Sequence, residues 1–293
     1  MAARRPQPAP AGRPAAVAAR HGRRRRDLVV SCGAALHHTR VALAASGVHA
    51  AVHRIPDPQR PDDLAALELA PRSPADGDVE LAATILRRRT DRRRFSTWAV
   101  PDSMQAALVQ RASEQGALFR VITGRARRAL TSTLRDAATV QDDTPAYQTE
   151  TAVWSGVESA DDGIPAANLL ATPPDPAHGR RFTPGRIQQE PSGEPDGALL
   201  AVIGTASDDT MSQLRAGEAL SAVLLQATLL GLATCPLSQV LEVGDTRRVL
   251  RDDVLDGAMA PQLVLRLGFA PSGPTLPATP RRPVTEFLYT EEN

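Results

Sequence analysis

The longest stretch free of charged side chains runs over 219–241, inside the segment AGEALSAVLLQATLLGLATCPLSQVL at 216–241. Leu220, Val223, Leu224, Ala227, Leu229 and Leu230 fall on every side of a 3.6-residue wheel, so a helix here has to be surrounded by protein. Gly231 stands where a left-handed C-terminal cap belongs. Beyond it Pro236 restricts Cys235 and brings no N–H of its own, so 234–238 leaves the helix as a short extended segment whose main chain can face a ligand. Shorter apolar or alternating runs predict strands at 48–55, 117–122, 198–205 and 260–269. Helical patterns cover 31–45, stopped by Gly47, then 79–89, 103–115 and 125–140. Asp78 reads as the N-cap of the second of these, with Leu81, Ala82, Ile85 and Leu86 on its buried side. Residues 56–78 are rich in Pro and Asp and read as a linker with at most one helical turn, at 62–69. Residues 141–195 read as a long irregular lid that packs through Trp154 and Phe182.

Composition narrows the classes. With 293 residues, 42% hydrophobic and 23% charged, the chain can bury one large core, and a formal net charge of +1 gives no general attraction to nucleic acid or acidic membrane. The uncharged run is long enough to span a bilayer, but Gln226, Ser221 and Thr228 interrupt it and Gly231 and Pro236 break it, which favours a core helix. All 34 basic residues are arginine, which excludes a Walker A lysine and every Schiff-base lysine while keeping bidentate phosphate recognition. Residues 1–26 carry eight arginines, four prolines and no acid, and read as a disordered leader without a signal-peptide core. Cys32 and Cys235 form no disulfide or metal pattern and suit a reducing cytoplasm; Cys235 reads as inert core. His37, His38, His49 and His53 lack Cys, Asp or Glu at ligand spacing and read as core or surface histidines, so no metal is expected.

The candidate chemistry lies at 87–94, RRRTDRRR, where six of eight residues are arginine. At a fraying helix end Arg88, Thr90 and Arg92 can converge on one polyanion, with Phe95 as an anchor, and guanidinium forks plus one hydroxyl match a phosphate monoester.

Four blocks together, LRRRTDRRRF at 86–95, AGEALSAVLLQATLLGLATCPLSQ at 216–239, PQLVLRLGFAP at 261–271 and RRPVTEFL at 281–288, resemble the FMN-dependent nitroreductase-like superfamily. SCGAALHH at 31–38 and DGIPA at 162–166 resemble its Acg-type branch, in which one chain mimics the two subunits of a nitroreductase dimer. The resemblance implies an α+β, three-layer sandwich over 27–293, a single-chain pseudo-dimer that is either monomeric or a homodimer. It implies FMN as cofactor, with Arg88, Thr90, Arg92 and Arg281 on the ribityl phosphate and Pro236, Leu237, Ser238 and Gln239 against the isoalloxazine. Relatives also carry a PS-x-x-N-x-QPW segment that lies on the flavin; no such pattern precedes Asp27, so the N-terminal half is expected to be truncated.

The implied activity is electron transfer from NAD(P)H to a small-molecule acceptor, a nitroaromatic or quinone, in the cytoplasm and in a stress-response setting. The flavin carries the reaction, so no protein residue is nominated as catalytic. Two alternatives differ in class: an FMN-sequestering protein whose lid excludes nicotinamide, and an arginine-rich nucleic-acid binder. Against the latter, the chain holds only two tyrosines, two tryptophans and five phenylalanines for stacking on bases.

Overall fold

The computed structural model describes residues 22–157, 162–189, 194–286 and 288. The surrounded helix is α6, numbered in chain order, at Thr210–Leu229. Thirteen of its residues are buried, and Asp209 caps its start by accepting from the Ser212 N–H at 2.8 Å. Before it come α1 (Gly22–Ala45), β1 (Val48–Arg54), β2 (Ala65–Pro71), α2 (Asp76–Arg87), α3 (Asp102–Glu114), β3 (Leu118–Ile122), α4 (Gly124–Asp142), α5 (Pro145–Trp154), β4 (Ser155–Val157), β5 (Ile164–Pro165) and β6 (Leu199–Thr205). After it come β7 (Ala233–Leu237), α7 (Gln239–Glu242), α8 (Gly244–Val249) and β8 (Ala260–Gly268).

The central sheet is antiparallel in the order β3-β6-β8-β7. Its strand β8 is buried at every position from Pro261 to Gly268, which requires cover on both faces. Helix α6 packs on β6, β7 and β8 and carries α1, α2 and α3, while α4 packs against α7 and α8. The fold is therefore the expected mixture of helix and sheet in layers. Pro236 is tolerated because β7 is the last strand of the ladder, where a missing N–H breaks no interior pairing.

Helices α1 and α6 are related by a local two-fold. A Cβ on Gly33 would lie 2.0 Å from the Leu214 carbonyl oxygen, and one on Gly217 would lie 2.0 Å from the Val30 carbonyl oxygen. The contact is reciprocal, and it repeats the 184-residue offset that separates His37 from Ser221, whose Nδ1 and Oγ are hydrogen-bonded at 2.8 Å. Each helix ends at a left-handed glycine, Gly47 (φ 76°) and Gly231 (φ 78°), and turns into a strand, β1 and β7. That is the arrangement of two pseudo-subunits meeting through their core helices. Glu218, fully buried on α6, ties the halves further by accepting from Arg40 (2.9 Å) and from Arg54 (2.7 and 2.9 Å). By length and composition α1 also passes as a membrane span, yet Arg26, His37 and Arg40 on it are all engaged with α6 or with residues just beyond it.

His37 makes the crossing sensitive to pH. Burial first, then Arg40, His38 and Arg111, lowers its pKa from 6.5 to about 3. As pH falls below 6.5 the unfolded chain takes the proton first, so His37's contribution is complete above pH 6.5 and is lost on the way down to about 3. Urea unfolding between pH 6.5 and 4 should show a stability slope of about 1.4 kcal/mol per pH unit from this residue, and His37→Gln should flatten it. An unchanged slope in the variant would assign acid lability elsewhere.

Several expectations are corrected. Residues 22–26 belong to α1 rather than to a disordered leader, and Arg26 is buried, its Nη1 donating to the Leu241 carbonyl at 3.2 Å; residues 1–21 lie outside the described residues. The supposed linker contains β2, which pairs with β1 in register from Val48↔Pro71 to Arg54↔Ala65. Asp78 is not the N-cap of α2: Ala75 is, and the Asp78 carboxylate accepts from its N–H at 2.9 Å from one turn inside. Leu86 is 80% exposed, and Thr84 is the buried residue of that helix. The lid is not irregular throughout, since it contains α5 and the parallel pair β4–β5.

Candidate functional site

The arginine cluster and the turn after the core helix lie side by side. Thr90 forms a parallel bridge to Thr234 on the free edge of β7; the Asp91 N–H donates to the Thr234 carbonyl at 2.9 Å, and Thr234 Oγ1 donates to the Arg89 carbonyl at 3.4 Å. The segment is extended from Arg88 (φ −57°, ψ 129°), not a fraying helix end, and Thr90 and Arg92, two apart, face one side. Arg89, Asp91 and Arg93 take the other side. Arg89 donates to the Leu276 carbonyl at 3.3 Å, and the buried Arg93 and Asp91 form an ion pair at 2.7 Å. This pairing keeps Asp91 and Arg93 out of solvent.

Thr90 and Arg92 line a cavity of about 740 Å³ together with Pro236, Leu237, Ser238 and Gln239. Six of the eight residues singled out in the sequence thus share one space. Arg88 and Arg281 are not in its lining, and Arg281 is exposed. Burial first, then Arg281 and Arg89, lowers the Arg88 pKa, and no carboxylate is among the causes. Cys235 also reaches the wall but is 2% exposed.

The remaining walls come from the lid. The Arg92 guanidinium lies 4.9 Å from the Phe182 ring centroid and donates to the Asn168 carbonyl at 3.3 Å. Burial, outweighing the nearby Cys235 and Asp91, keeps its pKa below the ordinary arginine value. Arg180 stacks 5.3 Å from Tyr147 and forms an ion pair with Glu242, while its Nη2 donates to Ser238 Oγ at 3.1 Å. Burial opposes the Arg180 charge, but Glu242 more than offsets it and the pKa is raised. Burial also raises the Tyr147 phenol above its ordinary range. Ser238 Oγ in turn donates to Glu242 at 2.7 Å, and Gln239 Nε2 donates to the Pro176 carbonyl at 3.1 Å, leaving Oε1 buried with no partner among the described residues.

Sequence reasoning missed Arg180, Tyr147 and Glu242. Signals existed for two of them: Glu242 is the first charge after the uncharged run, and Arg180 stands two residues from Phe182 inside the proposed lid. Tyr147 carries no comparable signal. Among the described residues no group of three or more His, Cys, Asp or Glu side chains is placed to hold a metal ion.

No family model matches the chain. It is 40% identical over 273 residues to "Putative NAD(P)H nitroreductase Rv3131" of Mycobacterium tuberculosis (strain H37Rv), covering 91% of this chain and 78% of that protein. It is 34% identical over 275 residues to "Putative NAD(P)H nitroreductase acg" of the same strain, covering 90% of this chain and 81% of that protein. Among solved structures, the FMN-dependent nitroreductase NfnB from Mycobacterium smegmatis in complex with NADPH aligns with a TM-score of 0.48 at 15% identity, over 74% of this chain and 100% of that one.

Proposed function

The chain belongs to the nitroreductase-like superfamily, and on that premise we propose that it binds FMN in the 740 Å³ cavity and passes electrons from NAD(P)H to a small planar acceptor, a nitroaromatic or quinone. One observation carries the reading: the 88–92 segment and the end of β7 are hydrogen-bonded to each other and open into one cavity. The residues suit the cofactor. The volume is that of an ordinary cofactor pocket, Phe182, Tyr147 and Trp154 supply flat apolar walls, and the Gln239 Oε1 offers a buried acceptor still lacking a donor. Arg88 supplies positive charge with no carboxylate among the groups that act on it, as a phosphate monoester requires.

FMN, when bound, accepts hydride from a nicotinamide and gives the electrons to the acceptor in turn. The protein's own residues bind and shield. Arg88, Thr90, Arg92 and Arg281 would hold the phosphate end, where the desolvated Arg92 cation stabilises negative charge more strongly than it would in water. Pro236, Leu237, Ser238 and Gln239 form the wall beneath the ring, and Phe182, Tyr147 and Trp154 keep water out. The two free thiols, Cys32 and Cys235, agree with a reducing cytoplasm. A stress-response setting belongs to the same reading, and the α1/α6 two-fold supports a monomeric pseudo-dimer.

A second reading, an FMN-holding protein with little turnover, is favoured by one feature. Arg180 bonds Ser238 and Glu242, and Gln239 bonds Pro176, so the lid is fastened to the cavity wall at two points. Anaerobic addition of NADPH to the yellow holoprotein decides between them. Bleaching of the visible flavin absorbance is expected for the oxidoreductase; persistent colour that dithionite alone removes means a holder, and a colourless protein that takes up no FMN means neither.

A further inference from the structure

Of the histidines weighed and set aside as metal ligands, His38 lies in an unusual place. Its Nε2 is buried and has no hydrogen-bond partner among the described residues. The charged groups that act on it are Arg88, from the end of α2, and Arg281, from the C-terminal segment, and both are cations. The same holds for Arg88, whose neighbours of consequence are Arg281 and Arg89. Among the described residues Arg281 bonds Thr279 and Pro280 of its own segment. Two cations from separate parts of the chain, the half-buried Arg88 and the exposed Arg281, thus act on a buried ring nitrogen that has no partner among the described residues. A buried imidazole left unpaired beside two guanidinium groups is unfavourable unless something anionic enters.

We infer that His38 is a further ligand of the phosphoryl group, donating from Nε2 to an oxygen that Arg88 and Arg281 also bind. The inference rests on the FMN reading above and adds to it a residue from α1. A phosphate monoester has oxygens enough for two guanidinium forks and one ring N–H. The core helix of one pseudo-subunit thereby helps to hold the cofactor gripped by the Arg88–Arg92 strand of the other. Neutral His38 suffices as the donor when its proton sits on Nε2. The chemistry recognised is a terminal phosphate, whether on FMN or as free phosphate.

Flavin fluorescence quenching on the full chain, with FMN and with riboflavin, tests this. His38→Leu, which removes the donor, is expected to weaken FMN about tenfold, the effect of one hydrogen bond to a charged group, and to leave riboflavin within about twofold. His38→Asn, whose amide stops short of the Nε2 position, should behave alike, and serves if the first variant folds poorly. Arg88→Ala is the reference for the site itself and should weaken FMN but not riboflavin. If Arg88→Ala discriminates and neither His38 variant does, the His38 inference is overturned while the FMN reading stands. If Arg88→Ala does not discriminate, the phosphate does not sit at this cluster, and the inference fails with that placement. Equal loss of FMN and riboflavin in the His38 variants means a structural role and also overturns it. Should wild type bind no flavin, inorganic phosphate is the remaining probe: a thermal midpoint raised by phosphate in wild type and not in His38→Leu supports a free-phosphate site, and no rise in either rules the ligand role out.

Discussion

Asp196→Ala is expected to lower stability by about 3–5 kcal/mol and to release FMN from the folded fraction. Arg266, on the central strand β8, is fully buried, and its Nη2 reaches the Asp196 carboxylate at 2.6 Å and the Arg93 carbonyl at 3.1 Å. Its Nε and Nη1 have no partner among the described residues, so Asp196 is the one carboxylate bonded to a charge in the middle of the sheet. The second Asp196 oxygen accepts from the Phe95 N–H at 2.8 Å and from the Ala198 N–H at 3.3 Å, and Phe95 lies with its ring centroid 4.6 Å from the Arg266 guanidinium. Deleting the carboxylate strands a cation and unties the end of the strand that carries Thr90 and Arg92. The loss should appear both in the urea midpoint and in flavin retained after gel filtration. Asp196→Asn retains an acceptor for Phe95 and should lose less. Replacing the pair together, Asp196→Leu with Arg266→Met, should recover most of the stability, because no charge is left without its partner. A single variant within about 1 kcal/mol of wild type, short of the range for a broken buried pair, would show that Arg266 is compensated in some other way.

Much of this was legible in the sequence, for identifiable reasons. Helix α6 and its glycine stop announce themselves because a run without charge has only one way to avoid water, and β8 reads clearly for the same reason. The fraying-helix picture for Arg88, Thr90 and Arg92 was mistaken, since the chain is already extended at Arg88, and Thr90 and Arg92, two apart, reach one cavity that Arg88 does not line. Strand β2 was hidden by its own composition: Ala65, Ala66, Leu67, Glu68 and Leu69 are good helix formers, and only pairing with β1 overrides that preference. Helix α5 buries none of its residues, so no apolar stripe marks it. Arg180 and Glu242 are far apart in the chain, and neither residue type says that it will find the other.

The α1/α6 crossing gives the other large effect: Gly217→Val should destabilise the protein by about 3 kcal/mol or more, and Gly217→Ala by somewhat less. A side chain at 217 would place its Cβ 2.0 Å from the Val30 carbonyl oxygen and 2.8 Å from Gly33 Cα. Both obstacles are backbone, so no rotamer change relieves them and the helices have to part. Parting them opens the interface that buries Val30, Leu214 and His37 and shifts α6 relative to β7, which lines the 740 Å³ cavity. Stability and flavin affinity should therefore fall together, unlike in Arg88→Ala, where affinity falls alone. Gly77→Ala supplies the contrast: that glycine, exposed in the first turn of α2, has nothing within 4 Å of a built Cβ, and the change should be neutral or stabilising by up to about 1 kcal/mol. If Gly217→Ala instead melts with wild type, the two core helices can slide past the added methyl, and the close reciprocal crossing is not what holds the pseudo-subunits in register.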